Sequence, residues 1–390
     1  MRIHRKTAQA IAESTSEVLG HGVLVTDGHG IIIGCNDRSR VGTLHAPSLD
    51  VLSRGEPLLT TREEAAELDA KPGYTAPISL SGQLVGTVSI SGLPREVERY
   101  GRLVRRQAEV LLMEQSFLEL RLRRQWAVQS LAESIMLYRA EDDDADAISS
   151  RGHELGFDLG RRRVAAILDF RATGARRSGD EDAPLREMVF DRVVDHFPGP
   201  DHIIAPLRGQ RIVLFLALAR RARDGEMEEE AAHLCSELAD RMAASRIWIE
   251  AGIGREAEGV AQSAWSAHLA REALGVGRAL GMRICPSREL AAEMLVSYLS
   301  PSRKRQHIEH VLGERELDPE LTETFLAWCR SPFSAARVTR ELSIHRNTLR
   351  YRLCKLRDIT GLDPWSFHDA FALWSASILR KFERAPKGGA

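Results

Sequence analysis

The residues best equipped for chemistry lie near the two ends of the chain. Between His345 and Arg357 stand Arg346, Arg350, Arg352, Lys355 and Arg357, with no Asp or Glu among them, so this stretch carries a formal charge of +5. Leu349, Leu353 and Leu356 recur at helical spacing in the same segment, which makes it an amphipathic helix with a basic and an apolar stripe. Its opening, His345-Arg346-Asn347-Thr348, places free backbone N–H groups beside a hydroxyl and a guanidinium. Such donors hold phosphates, and an Arg can bridge O6 and N7 of guanine. Toward the other end, the loop Cys35-Asn36-Asp37-Arg38-Ser39-Arg40-Val41-Gly42-Thr43-Leu44-His45-Ala46 gathers two arginines and a histidine beside glycine and hydroxyl groups. A guanidinium fork matches a carboxylate, and backbone N–H groups near Gly42 add donors, so the chemistry on offer is recognition of a small carboxylate.

The elements that must position these residues follow from periodicity. Ser334–Leu342 is predicted as a helix capped by the Ser334 hydroxyl, with Ala335, Val338 and Leu342 facing inward. Only Ser343-Ile344 separates it from the predicted helix His345–Thr360, which is the layout of a helix-turn-helix. Further helices are predicted near 287–298, 304–312, 319–330 and 366–382. At the N-terminus, a helix over Lys6–Leu19 precedes a hairpin of two apolar runs around Asp27-Gly28-His29-Gly30. After a polar loop and a helical stretch, Tyr74–Ser79 and Leu84–Ser91 form a second strand pair around Ser81-Gly82-Gln83. A long helix is predicted from Pro94 to Tyr138, and Val97, Gly101, Val104, Ala108, Leu111, Gln115, Leu118 and Leu122 follow alternating 4-3 spacing along it. It either packs on its own domain or leaves that domain as a dimerising, signalling helix. The acidic stretch Glu141–Asp146 marks a solvated boundary. Beyond it, strands at 163–170, 202–206, 211–218 and 247–254 alternate with helices at 185–196, 226–245 and 260–280, with the polar stretch Arg171–Asp182 as a surface loop.

Composition narrows the function classes. With 390 residues and about 150 per domain, two or three domains are expected. Lys and Arg number 54 against 55 Asp and Glu, which excludes a uniformly basic coat but not a local basic patch. The longest apolar run, Ile212–Ala219, is far short of a membrane span, and Met1–Glu17 has no apolar core of the signal-peptide kind. Five scattered cysteines without metal spacing point to packed thiols in a reducing cytoplasm. There is no Walker A loop, no H-E-x-x-H and no G-x-S-x-G, so no catalytic residue, metal or cofactor is expected.

At this point a resemblance enters. Ile344-His345-Arg346-Asn347-Thr348-Leu349-Arg350-Tyr351-Arg352-Leu353, followed by Ile359-Thr360-Gly361-Leu362, resembles the C-terminal helix-turn-helix of the PucR/CdaR transcription regulators, and also the DNA-binding end of the factor for inversion stimulation. The resemblance implies double-stranded DNA as partner. His345, Arg346, Asn347, Thr348, Arg350, Tyr351, Arg352 and Lys355 would be its contacts, with Phe367, Phe371 and Trp374 holding the helix in place. The order Asp-Arg-x-Arg-Val-Gly-x-x-His at 37–45, with Gly-Gln-Leu-Val-Gly-Thr-Val-Ser-Ile-Ser-Gly at 82–92, resembles the sugar-diacid recognition domain of CdaR-type regulators, departing only in Val41 where Ile is usual. It implies a pocket for an acid of the glycerate, glucarate or galactarate class. Arg40, Gly42 and His45 lead the candidates, and Asn36, Arg38, Val41, Thr75, Pro77 and Ser89 follow.

The segment 150–280 resembles the GGDEF-like domain of the same family. Its central turn, Leu207-Arg208-Gly209-Gln210, carries no acid, and Asp169 alone could not hold a two-metal site, so a structural or relay role is expected rather than nucleotide cyclisation.

The expected architecture is therefore α+β and multidomain. A PAS/Cache-like antiparallel-sheet sensor occupies 1–95, or to about 120 with its helix, and a signalling helix 95–140. A degenerate GGDEF-like α/β domain occupies 145–285, and an all-α helix-turn-helix domain 290–385. The expected function is that of a cytoplasmic, ligand-responsive regulator without membrane contact, binding DNA as a homodimer or higher homo-oligomer. The competing reading is an effector-binding scaffold that acts through protein partners, its basic helix merely solvated. Salt separates the two, because phosphate neutralisation makes DNA affinity fall steeply with ionic strength.

Overall fold

The computed structural model describes residues 3–80, 82–173, 183–218, 225–331 and 333–384. Ser81 of the expected second turn and residues 174–182 of the expected surface loop lie outside the described residues. The chain falls into two compact units, Met1–Arg124 and Gln125–Ala390.

In the first unit, α1 (Arg5–Leu19) leads into the hairpin β1 (Val23–Asp27) and β2 (Ile32–Cys35). Asp27 makes that turn, its Oδ1 accepting from the N–H groups of His29 and Ile31. α2 (Ala46–Arg54), the short strand β3 (Leu58–Thr60), which sequence patterning did not anticipate, and α3 (Arg62–Glu67) come next. They are followed by the long pair β4 (Gly73–Leu80) and β5 (Gln83–Ser91), and then α4 (Pro94–Leu137). The strands form one antiparallel sheet in the order β2-β1-β5-β4-β3. Strand alternation gives this sheet two different faces. Val23, Val25, Ile33, Ala76, Ile78, Val88 and Ile90 form an apolar core with Ala8, Ile11 and Ala12 of α1 and the first turns of α4. The opposite face carries Leu24, Thr26, Thr75, Thr87 and Ser89, all buried.

The register explains that second face. Thr75 pairs with Ser89 and Ser89 with Leu24, while Pro77 pairs with Thr87 and Thr87 with Thr26, so two cross-strand rows of short side chains lie side by side.

Helix α4 uses its apolar residues in two ways. The 4-3 frame read from the sequence begins at Val97, Gly101, Val104 and Ala108, and these are buried on the chain's own sheet together with Leu112. Gly101 sits in that frame because the Tyr74 ring lies against it, where an added Cβ would come within 2.0 Å of the ring. A second stripe, Leu103, Val110, Met113, Phe117 and Leu120, is 49–65% exposed. It has the same spacing shifted by two residues. Both readings of the helix thus have residues of their own.

In the second unit, α5 (Ala145–Glu154) precedes β6 (Arg163–Ala172), α6 (Ala183–His196), β7 (Ile203–Leu207) and β8 (Arg211–Leu216). α7 (Glu226–Ala244), β9 (Ile247–Ala257), α8 (Gly259–Ala279) and β10 (Ile284–Pro286) complete this half. The sheet order is β10-β9-β6-β8-β7, antiparallel except for the parallel pair β10–β9. Along β6, Val164, Ala166, Leu168 and Phe170 face α6 and α7, while Ala165 and Ile167 face α5, α8 and the last turns of α4 through Leu131, Ala132 and Ile135. Six helices follow: α9 (Ala291–Ser297), α10 (Pro301–Leu312), α11 (Pro319–Arg330), α12 (Ala335–Glu341), α13 (Arg346–Thr360) and α14 (Phe367–Arg384). Phe382 of α14 packs against the cluster of Ala273, Val276, Cys285, Leu290 and Met294, so the helical segment and the sheet share one unit. Among the described residues no helix is long and apolar enough to cross a membrane.

Gly101→Leu tests the close approach of α4. Forcing a side chain into the Tyr74 ring is expected to destabilise the chain by about 1–3 kcal/mol, measured by urea unfolding. Tyr74→Ala in the same background should recover part of the loss.

Candidate functional sites

The loop after β2 is tied down residue by residue. Asp37 caps a 3-10 turn over Arg38–Arg40 by accepting from the Ser39 N–H. Gly42 adopts φ +93° and donates its N–H to Ile32 O at 2.8 Å, while the His45 N–H donates to Gly30 O at 2.9 Å. The loop thereby lies over the polar face of the sheet and closes a small cavity of about 20 Å³, the room of roughly one water.

Asn36, Arg40, His45 and Ser89 line that cavity. Of the remaining candidates, Arg38 is exposed and reaches Glu13 at 2.8 Å instead. Val41 packs on Leu24, Ile32 and Cys35. Gly42 is exposed and nothing lies within 4 Å of where its Cβ would be, so its contribution is its positive φ. Thr75 donates to the Ser89 hydroxyl at 2.9 Å and supports it from one strand away, and Pro77 is buried beside Thr87. Three polar residues that line the cavity were not anticipated: Asp37, Lys71 and Ser91. Lys71 precedes β4 by two residues, and only the pairing of Gly73 with Ser91 brings it to the cavity. No local pattern announces it.

Behind the cavity runs a buried polar chain. His45 Nδ1 lies 2.7 Å from Ser48 Oγ, Ser48 Oγ 2.6 Å from Thr87 Oγ1, and Thr87 Oγ1 2.9 Å from Thr26 Oγ1, which donates to Asp27 O. Each link satisfies a group that would otherwise be costly to bury. Burial, with a smaller push from Arg40, lowers the His45 pKa to about 4. At neutral pH the imidazole is therefore a neutral hydrogen-bonding group, and the positive charge comes from Arg40 and Lys71. Two cations, a neutral imidazole and several hydroxyls suit a molecule with a carboxylate and hydroxyl groups.

The second site is the surface of α13. Helix α12 and α13 are joined by Leu342-Ser343-Ile344-His345, in which Ser343 takes φ +51° and the Ile344 N–H donates to Thr339 O. Ser334 occupies the start of α12, but its hydroxyl makes no capping bond, contrary to expectation. His345 caps α13, its ring nitrogen accepting from the Asn347 N–H at 3.2 Å. Leu349, Leu353 and Leu356 are buried with Val338, Phe325 and Trp328. This locks the apolar stripe and turns Arg346, Asn347, Arg350, Tyr351 and Lys355 outward, with Thr348 half-buried.

Two expectations are corrected here. Arg352 does not project outward with the others: its guanidinium donates to Thr324 at 3.0 Å and to Glu320 at 2.7 Å, pinning α13 to α11. Phe367 and Phe371 do not hold the helix from inside. They are 75% and 49% exposed and stack on one another, and only Trp374 of the three is buried. Trp365, 43% exposed, borders the cleft of Arg346, Asn347, Arg350 and Arg357, and was also not anticipated.

Asp169, the carboxylate expected as a catalytic remnant, is paired with Arg211 at 3.2 Å and Arg278 at 3.0 Å. Its cross-strand neighbour Glu250, which sequence reading missed, shares Arg278. Guanidinium groups thus neutralise both carboxylates. All five cysteines are free.

Comparison with known proteins places three family models along the chain. Residues 3–135 match the sugar diacid recognition family, 139–276 the GGDEF-like domain and 321–379 the PucR C-terminal helix-turn-helix domain. The carbohydrate diacid regulator of Escherichia coli (strain K12) is 27% identical over 381 residues, 95% of this chain and 96% of that protein. The uncharacterized protein YsfB of Bacillus subtilis (strain 168) is 24% identical over 360 residues, 91% of this chain and 92% of its own length. The transcriptional activator PmfR of Paenarthrobacter nicotinovorans is 38% identical over 87 residues, 21% of this chain and 18% of that protein.

The buried imidazole makes a pH prediction. Because the His45 pKa falls from 6.5 to about 4, the unfolded chain takes up a proton between those values that the folded chain refuses. Stability therefore falls as pH drops through that window, by about 2 kcal/mol between pH 7 and pH 5. Urea unfolding of the chain and of His45→Gln at both pH values should differ in pH slope by that amount. Equal slopes would place His45 in water.

Proposed function

We propose that this chain, which carries sugar-diacid-recognition, GGDEF-like and PucR-type helix-turn-helix domains in one polypeptide, is a transcriptional regulator that binds a small sugar acid and controls genes for its uptake or catabolism. The observation that carries the reading is the division of α13, whose leucines are locked in the core while Arg346, Asn347, Arg350, Tyr351 and Lys355 project from its other side. That arrangement suits a recognition helix, with Arg bridging a guanine and the remaining cations on phosphates.

In this reading the effector is an acid of the glycerate, glucarate or galactarate class. Arg40 and Lys71 take its carboxylate, and Asn36, His45 and Ser89 take its hydroxyls. The cavity has room for about one water, so the loop 36–45 must open to admit the acid. Ser89 and Ser91 line the cavity, and α4 begins three residues later at Pro94. A displaced loop would therefore be felt at the start of α4. The exposed stripe from Leu103 to Leu120 supports pairing of two copies along that helix, which would set the spacing of two recognition helices. Effector and DNA affinities are then thermodynamically linked.

Fluorescence anisotropy on DNA from upstream of the gene cluster, with and without each acid and at two salt concentrations, tests the reading. Arg346→Ala and Arg350→Ala should each weaken binding by about tenfold or more and lower the salt slope by about one. Arg352→Ala should instead lower the unfolding midpoint, because it breaks the tie to Glu320. Arg40→Ala should leave DNA binding in place and abolish the response to the acid. DNA binding that is indifferent to salt would sink the reading.

Pairing has its own check. Phe117→Glu should convert the chain to a monomer in sedimentation velocity and weaken binding to a two-site operator. A dimer unchanged by this substitution would move the interface elsewhere.

A further inference from the structure

A cleft of about 280 Å³ lies between α14, α11 and the link that joins α10 to α11. It shares no lining residue with the effector cavity or with the cleft on α13. Leu312, Leu317 and Pro319 form its apolar wall, and Glu323 of α11 is its single lining carboxylate. The lining from α14 is Ser377, Arg380, Lys381 and Arg384, which recur at i, i+3, i+4 and i+7 and so share one helix face.

Two of the three cations are anchored. Arg380 donates to Arg315 O, and Arg384 donates to Glu316 Oε1 at 2.6 Å, which leaves further N–H groups on each guanidinium. The Lys381 ammonium, on a half-buried residue, has no carboxylate partner among the described residues.

A helix C-terminus favours cations by itself, so these three alone point to no ligand. Ser377 supplies the independent observation. It is 3% exposed, and its Oγ has no hydrogen-bond partner among the described residues. A buried helical hydroxyl ordinarily bonds a carbonyl of the preceding turn. Ser375 does so, donating to Ala372 O at 3.0 Å and meeting the His307 ring at 2.8 Å. A hydroxyl buried without such a partner costs stability. Here it belongs to a residue that lines a cleft of three cations, where an anion's oxygens would complete it.

We propose that this cleft binds the phosphate of a small phosphorylated polyol. Ser377 Oγ, the Lys381 ammonium and the remaining N–H groups of Arg380 and Arg384 take the phosphate oxygens. Glu323 accepts from a hydroxyl of the ligand, and the carbon chain lies on Leu312, Leu317 and Pro319. A carboxylate presents two oxygens and one charge, whereas a phosphate monoester presents three oxygens and about two charges, the better match for four donor groups. The volume is at the lower edge of the roughly 300–1,000 Å³ of small-molecule sites, which keeps the ligand small. The proposal rests on neither the sugar-acid nor the DNA reading.

Isothermal titration of the full chain with glycerol 3-phosphate, inorganic phosphate and glycerol tests this, since none of the three carries the carboxylate that the first unit's cavity suits. Glycerol 3-phosphate should bind, inorganic phosphate should be weaker by about tenfold, and glycerol should not bind at about 10 mM. Lys381→Ala should cost about tenfold in affinity, and Ser377→Ala about fivefold. The thermal midpoint of Ser377→Ala should stay equal or rise, because the substitution removes an unpartnered buried hydroxyl and alanine favours the helix. No binding of glycerol 3-phosphate at about 10 mM would overturn the proposal. So would affinity undiminished in both variants, or inorganic phosphate binding as tightly as the ester. Loss of glycerol 3-phosphate binding on saturation with duplex DNA would assign these cations to the DNA backbone instead.

Discussion

One helix supplies residues to two hydrophobic cores, and much of the molecule is arranged around that constraint. Val97, Val104, Ala108 and Leu112 of α4 belong to the core of the first unit, and Leu131, Ala132 and Ile135 to that of the second. Other faces of the same helix are left uncovered, and they carry large apolar side chains, from Leu103 through Phe117 to Trp126. Exposed apolar side chains at this spacing are unfavourable unless something covers them. Pairing along this helix, as proposed above, would resolve the conflict.

The sheet of the first unit meets a second constraint. One face is filled by Val, Ile and Ala and needs no further account. The other buries hydroxyls and an imidazole, each of which must find a partner. The chain from His45 through Ser48 and Thr87 to Thr26 supplies those partners internally. That closure leaves Arg40, Lys71, Asn36, Ser89 and Ser91 at the cavity with polar groups directed to a small space, and it holds His45 neutral where a charged ring would be costly. The polar face is thereby hydrogen-bonded without a ligand.

Arginine carries most of the polar chemistry of the second unit, and what each does depends on its neighbours. Arg278 and Arg211 neutralise Asp169 and Glu250, occupying the place where carboxylates free of cations would be needed for metal chemistry. Arg352 ties α13 to α11. Arg346 and Arg350 on the same helix remain outward and available. An identical side chain thus appears as structural tie, charge compensator and exposed surface cation within one unit, and residue type alone does not distinguish them.

Much of this was legible in the sequence. The +5 stretch with its leucine stripe, the tight link at Ser343-Ile344, the Asp-Gly hairpin and the alternating runs at 74–91 each report a local preference, and local preferences survive folding when neighbours agree with them. Lys71, Ser48, Thr87 and Glu250 were not legible, because cross-strand register and the course of distant loops bring them to their partners, and no spacing along the chain records that. The 4-3 frame along α4 shows the division most clearly. The sequence determined that the helix has apolar stripes, since periodicity is a property of the chain itself. Only the tertiary structure decided which stripe is spent on the chain's own sheet, beside Tyr74 and Gly101, and which is left outward, because burial depends on which residues a neighbouring element can physically reach.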